Sequence, residues 1–217
     1  MVAARREVVR SHDFSARQGD GNLLLKRADA ATPIDVLNQI ARIHADQLKA
    51  GFLPLLGPSV LQRIYRHAAA KAYLFFLIQD EEVVAFAMGT VDAAQFYREF
   101  AIRNFVPVSL ALLVRPKVLT RALSGVRYAG RSSTTGRQAE LLSIAVDPRF
   151  ARRRAGSIVF EAFRKAVGQA GQKSFRITMA ETQAAAFCFY RKMGCEFGPI
   201  QNIGGLNCYS LTCGTSS

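Results

Sequence analysis

Apolar residues recur along this chain at two periods, one near 3.6 positions and one of two positions or unbroken, and the switches between them mark out the elements. Asn22 to Ala28 predicts a first strand. Thr32 to Ala50 predicts a helix with Ile34, Leu37, Ile40, Ala41, His44 and Leu48 on one stripe, where His44 reads as a packing residue. GFLPLLGP reads as a loop ahead of a second helix from Ser59 to about Ala69. AYLFFLIQ and EVVAFAMGTV then form a hairpin turning at Asp80-Glu81. From Asp92 to about Arg131 the strand pattern lapses, and AAQFYREFAIRNF and SLALLVRPKVLTRAL read as helical pieces containing Arg98, Arg103, Arg115, Lys117 and Arg121.

After an SSTTGR linker, the strand AELLSIAV stops at Asp147-Pro148 and an arginine-rich turn leads into a helix. Its apolar face comprises Ala155, Ile158, Val159, Ala162, Phe163, Ala166 and Val167. Lys173 to Ala180 alternates as a strand, Gln183 to Gly194 is helical, and Glu196 to Gln201 with Leu206 to Cys213 reads as a closing antiparallel pair. The polar stretch 1–21 reads as a flexible tail and 214–217 as a frayed end. A single α/β domain over 22–213, with a helical insertion at 92–131, is the expected organisation.

With 217 residues, half of them hydrophobic, the chain can bury a substantial core. The formal net charge of +13 points to an acidic partner: a coenzyme, a nucleotide-activated substrate, nucleic acid or an anionic membrane surface. Nucleic acid is the weaker of these, because the basic residues are dispersed and form no reading motif. Cys188, Cys195, Cys208 and Cys213 contain no C-x-x-C pair and His12, His44 and His67 lie far from them in sequence, so neither a metal site nor a disulfide scaffold is expected. No secretory signal and no apolar run of about 18 residues is present, which makes a reducing cytoplasmic setting the default expectation. For the insertion three readings stay open: a helical pair on the sheet edge, a lid over an anionic acceptor, or a peripheral membrane anchor, since FVPVSLALLV is apolar, flanked by arginines and too short to span.

Arg152, Arg153 and Arg154 precede a helix N-terminus, where free N–H groups and a partial positive charge disfavour cations and favour anions. A docked phosphate reverses the sign of the interaction. A solvated basic turn is the plainer reading of the same residues.

The order V-D-P-x-F-x-R-R-R-A-G-S after an apolar strand resembles the cofactor-binding motif Q/R-x-x-G-x-G/A of the GCN5-related N-acetyltransferase (GNAT) superfamily. Gly156 takes the last position, Ala151 stands at the first and Arg154 at the middle glycine. Downstream, QAAAFCFYRKMG resembles the N-x-x-A-x-x-F-Y-x-K-x-G helix, with Ala186, Phe189, Tyr190, Lys192 and Gly194 in register and Gln183 in place of Asn. The resemblance implies a GNAT fold: a central mixed, mostly antiparallel sheet flanked by helices, here with a helical insertion before the central strand.

It also implies acetyl-CoA as co-substrate and no metal. The central strand, with Ile144, Ala145 and Val146, would bind the pantetheine arm and the acetyl carbonyl. Arg152, Arg153, Arg154, Ala155, Gly156 and Ser157 would cradle the pyrophosphate, with Gln183 beside them. Glu140 is the implied general base, its alternative being a solvent-exposed strand-edge carboxylate; Ser143 is a weaker polar neighbour on the opposite face of an ideal strand. Tyr190 is the implied general acid, since a phenol (~10) stays protonated beside a thiol (~8.5), and its alternative is a packing tyrosine. Cys188 and Cys195 have no histidine to activate them, so direct attack in a ternary complex is expected rather than a covalent acetyl-cysteine.

The function that follows is N-acetylation of a primary amine on a small anionic acceptor, an amino sugar or nucleotide-linked amino sugar being the specific expectation. A non-catalytic binding module with a degenerate coenzyme turn, and a protein or peptide N-acetyltransferase, are the alternatives.

Overall fold

The computed structural model describes residues 14–15, 23–49, 51–106, 108–109, 138–203 and 205–215. Its elements are β1 (Phe14–Ser15), β2 (Leu24–Arg27), α1 (Ile34–Gln47), α2 (Phe52–Leu55), α3 (Pro58–Lys71), β3 (Tyr73–Gln79), β4 (Glu82–Thr90), α4 (Ala93–Arg103), β5 (Ala139–Val146), α5 (Ala155–Gln169), β6 (Ser174–Ala180), α6 (Ala184–Lys192), β7 (Glu196–Ile203) and β8 (Leu206–Gly214). The strands form one eight-stranded sheet in the order β1-β2-β3-β4-β5-β6-β8-β7. All neighbours are antiparallel except β5 and β6. A parallel step needs a crossover, and α5 supplies it.

Strand β4 explains the layering. Every residue after Glu82 is buried, so the strand must be covered on both faces. On one face α1 and α3 pack through Ile40, Ile64 and Tyr65 against Phe86 and Met88. On the other, α5 lays Val159, Phe160, Phe163 and Val167 against Val84, Phe175 and Leu211. Each such side chain contributes about 1.5–3 kcal/mol through burial. Close approach of α5 depends on Gly89, because a Cβ there would fall 2.4 Å from the Phe163 ring and 2.5 Å from the Glu140 carbonyl oxygen.

The structure differs from the sequence expectations at several points. Phe14–Ser15, read as tail, pair with Leu25 and Leu24 and extend the sheet by one short strand; the rest of the tail lies outside the described residues. The GFLPLLGP loop contains the short helix α2, and α3 starts at Pro58, whose missing N–H costs nothing at a helix start. Gly214 belongs to β8, and Thr215 is held by its N–H to the Lys173 carbonyl (3.1 Å) and its Oγ1 to the Gln172 carbonyl (2.8 Å). Of the insertion, α4 forms as expected, whereas Leu110 onward and the SSTTGR linker lie outside the described residues.

A disulfide joins Cys195 and Cys213, contrary to the expectation of none. Its origin is the register of the β7–β8 hairpin: Glu196 pairs with Thr212, so the next position outward sets the two cysteines opposite each other, with Cα atoms 4.4 Å apart.

Candidate active site

Two irregularities of β5 create the site. Along β4 the register advances from Met88–Ser143 to Gly89–Leu141, so Leu142 is an extra residue, a β-bulge that bends the strand. Along β6 the pairing covers only Ala139–Phe175, Glu140–Arg176 and Leu141–Ile177. Beyond Leu141 the two parallel strands part, and from Leu142 to Val146 one edge of β5 has no sheet partner. The Asp147 N–H donates to the Val84 carbonyl at 2.8 Å. Because residues facing one neighbour alternate in an antiparallel ladder, Ala145 also turns its peptide groups to β4, while Ile144 and Val146 turn theirs to the open edge. The expected trio therefore divides: Ile144 and Val146 offer N–H and C=O groups, and Ala145 contributes a buried methyl to the core.

The strand runs directly into the arginine turn. Asp147 accepts from the Arg149 N–H (2.9 Å) and pairs with its guanidinium (2.8 Å), which also reaches Glu82 (3.0 Å). The hydrogen bond from Arg149 holds the Asp147 carboxyl below its ordinary range, and Arg149 is thereby tied to the side of the turn. Next, φ runs from −60° at Ala151 to +65° at Arg152 and +62° at Arg154, with Arg153 between them outside the positive-φ region. Alternation of this kind curls successive N–H groups around a common centre and makes an anion-binding concavity. Helix α5 opens there: its first internal bond runs from the Ile158 N–H to the Arg154 carbonyl (3.0 Å), so the amides of Ala155, Gly156 and Ser157 have no intrahelical acceptor. An anion is the natural guest.

The departures from the resembled motif acquire a physical reading. Arg154 adopts the left-handed conformation that glycine enters freely, at a cost of about 1–2 kcal/mol for a residue with a Cβ, and its side chain is exposed. The turn is kept despite the substitution. Arg153 lies over the Phe150 ring at 5.6 Å, a cation–π contact that helps fix the turn. Gly156 serves packing: a Cβ there would stand 3.2 Å from Val146 Cγ2 and 3.6 Å from the Phe189 ring, so its absence lets α5, β5 and α6 meet. Gln183 caps α6 through its carbonyl, which accepts the Phe187 N–H at 3.0 Å, and follows the β6 edge that parts from β5.

On the α1/α3 face of the sheet, Glu140 Oε2 accepts from Arg176 Nη2 at 2.8 Å, with both side chains only 14 % exposed. Arg176 alternates with Phe175 and Ile177 of the α5 cluster, which places the pair opposite that cluster. Glu140 is thus an enclosed, ion-paired carboxylate and not the solvent-exposed one of the alternative reading. The bulge at Leu142 brings Ser143 to the same face as Glu140, correcting the ideal-strand expectation. Ser143 Oγ lies 3.4 Å from the Tyr65 hydroxyl, which bonds His44 Nδ1 at 2.5 Å.

This buried chain of three polar groups was not anticipated. Burial holds His44 down to about 4, so it is neutral at physiological pH, and pushes the Tyr65 phenol well above its ordinary value. The signal in the sequence is His44 itself, since a polar ring on an apolar stripe needs a partner.

Tyr190 sits on the other side of β5. Its ring is 6.1 Å from Phe160 and 5.3 Å from Phe189, within the cluster that Ile144 and Val146 flank. Burial raises its phenol above the ordinary value and keeps the proton on it. The structure therefore sets Glu140 and Ser143 on one face of β5 and Tyr190 on the other. Cys195 is committed to the disulfide and Cys188 is exposed. Among the described residues, no cluster of three or more histidine, cysteine, aspartate or glutamate side chains is arranged to hold a metal ion.

The family model described as Acetyltransferase (GNAT) family matches residues 37–195. The chain belongs to the GNAT acetyltransferase family. Among solved structures, the Ard1 protein of Thermoplasma volcanium superposes with a TM-score of 0.57 at 15 % identity, covering 90 % of this chain and 99 % of that one. The ribosomal-protein-S18-alanine N-acetyltransferase of Escherichia coli gives 0.54 at 15 % identity, covering 90 % and 95 %. The PaiA N-acetyltransferase of Thermoplasma acidophilum, in complex with coenzyme A, gives 0.52 at 10 % identity, covering 89 % and 99 %. At such identities the likeness is one of fold. No curated protein matches the sequence. The GNAT span begins in α1 and ends at Cys195, and so contains every site residue named above.

Proposed function

We propose that this GNAT acetyltransferase moves an acetyl group from acetyl-CoA to the primary amine of a small anionic molecule by direct attack in a ternary complex. The observation that carries the reading is the continuity of two unsatisfied backbone surfaces: the open edge at Ile144 and Val146 leads within a few residues to the amide turn at 152–157. These groups fit acetyl-CoA. A diphosphate suits converging amides with Arg152 and Arg153 beside them, and an amide-bearing pantetheine arm suits a strand edge lacking its neighbour. Acetyl-CoA supplies the acyl group as a thioester, and the Ile144 N–H is a donor for its carbonyl.

Glu140 serves as the base. Arg176 engages Oε2, so Oε1 is the oxygen left to receive the proton of the amine, directly or through water. Tyr190, kept protonated by burial, donates to the departing thiolate from the opposite face. An anionic acceptor is supported by the net charge of +13. An amino sugar, free or carried on a nucleotide, meets that description.

The test is the release of free coenzyme A thiol from acetyl-CoA in the presence of amino sugars, nucleotide-linked amino sugars, polyamines and peptides. Turnover with the sugar amines is expected. Turnover with peptides alone would replace the acceptor assignment, and failure to bind acetyl-CoA at all would end the reading.

A further inference from the structure

Helix α4 is apolar on two sides. Phe96, Phe100 and Val108 turn inward, the two phenyl rings lying 5.0 and 5.8 Å from the His67 ring. Ile102 in its last turn, and Phe105 and Val106 in the helical residues that follow the non-helical C-cap Asn104, are 72 %, 72 % and 73 % exposed. An inward stripe suffices to dock the helix, so burial against the described residues does not account for the exposed side chains. Three large apolar side chains at that exposure within five consecutive residues form the kind of patch that marks an interaction surface.

The charge around the patch identifies its partner. Arg98 and Arg103 are exposed on the same helix, whose one acidic residue, Glu99, accepts a hydrogen bond from Gln95 (2.8 Å). From Phe105 to Arg137 the sequence contains six Lys and Arg residues and no Asp or Glu. Exposed apolar groups beside exposed arginines, on a chain of net charge +13, match an anionic bilayer surface, which takes apolar side chains at the acyl boundary and cations at its headgroups. Nucleic acid matches the charge alone, since it offers no apolar interior to Ile102, Phe105 and Val106. Among the described residues no helix is long and apolar enough to cross a membrane, so the contact is interfacial.

We propose that the C-terminal end of α4 docks the enzyme on anionic lipid membranes, with Ile102, Phe105 and Val106 inserted at the headgroup boundary. The patch residues lie outside the sequence range 140–190 that supplies the coenzyme site, so coenzyme binding is an internal control for folding.

The full chain is sedimented with vesicles of phosphatidylcholine alone and of phosphatidylcholine with phosphatidylglycerol. Binding to the anionic vesicles that weakens with salt, and that falls more than tenfold in an Ile102→Ser, Phe105→Ser, Val106→Ser variant whose acetyl-CoA thermal shift is retained, is the expected result. Equal binding to neutral vesicles, no binding to anionic ones, or an unchanged variant overturns the proposal. So does a wild-type dimer that the triple variant converts to monomer without lipid, which would assign the patch to a second copy.

Because the chain contains no tryptophan, Phe105→Trp provides a second test that leaves the patch apolar. Its emission is expected to shift to the blue on anionic vesicles and to be quenched by brominated acyl chains. An unshifted, unquenched emission overturns the proposal.

Discussion

Replacing Arg154 by Gly and, separately, by Ala asks whether the turn before α5 is held in a conformation that its own residue resists. Arg154 has φ +62° and ψ 0°. The left-handed conformation costs a residue with a Cβ about 1–2 kcal/mol, a penalty Ala keeps and Gly sheds. Gly gives back about 0.5–1 kcal/mol in unfolded-state entropy. The difference leaves Arg154→Gly more stable than Arg154→Ala by about 0.5–1 kcal/mol, the reverse of a helix interior, where Ala leads by about 1 kcal/mol. For a chain of this length that difference moves the melting midpoint by roughly 2–4 °C per kcal/mol. Urea unfolding of the two variants at equal m-value is the assay. Arg154→Asn, tolerant of the same conformation, is expected between them. If Ala equals or exceeds Gly, the strained turn is not the state of the protein in solution, and the amide cradle built on it falls.

Tyr190→Phe is expected to lower turnover about 100-fold while acetyl-CoA affinity stays unchanged, and steady-state turnover at the wild-type level would remove Tyr190 from the reaction. His44, held down to about 4 from 6.5 by burial, is neutral when folded but takes up a proton in the unfolded chain. Its contribution is therefore full above pH 6.5 and lost as pH falls toward 4, by about 3 kcal/mol at most. His67 shifts in the same direction through burial, so His44→Gln should remove part of the acid slope in unfolding measured at pH 7 and pH 4.5; an unaltered slope would contradict the assignment. Reducing Cys195–Cys213, which are 18 residues apart in sequence, is expected to cost about 3 kcal/mol of stability, and equal urea midpoints with and without reductant would show the bridge to be absent.

The elements were legible because burial imposes period on sequence: the alternation of Phe175, Ile177 and Met179 is found where it was read, and of the α1 stripe Leu37, Ile40, Ala41 and His44 are buried, whereas Ile34 is exposed and Ile43 is buried in addition. What escaped were events that period cannot encode. One residue added at Leu142 carries Ser143 to the face of Glu140, yet ELLSIAV looks the same with or without a bulge. In α5 the expected face included Ile158 and Ala162, which are only half-buried, whereas Phe160, outside that face, is fully buried, because α6 covers a second side through Phe189 and Tyr190. The Cys195–Cys213 bridge needed the β7–β8 register, and the His44–Tyr65–Ser143 chain joins three elements far apart in sequence. The site itself was located by two motif resemblances. Why the turn tolerates arginine at 154 is a matter of backbone angle, visible only in the folded chain.

The central claim is that the β5 edge released by β6 and the turn after it together receive acetyl-CoA. Amide hydrogen exchange resolved by residue tests it most directly. Without acetyl-CoA the N–H groups of Ile144, Val146 and Ala155 to Ser157 should exchange faster than those of Ser143 and Ala145, which are bonded to β4. With acetyl-CoA at a hundred times its dissociation constant, global stability should rise by about 2.7 kcal/mol and exchange at those open-edge and turn amides should slow by more than at Ser143 and Ala145. Uniform slowing across all of these amides, or none, would contradict the account.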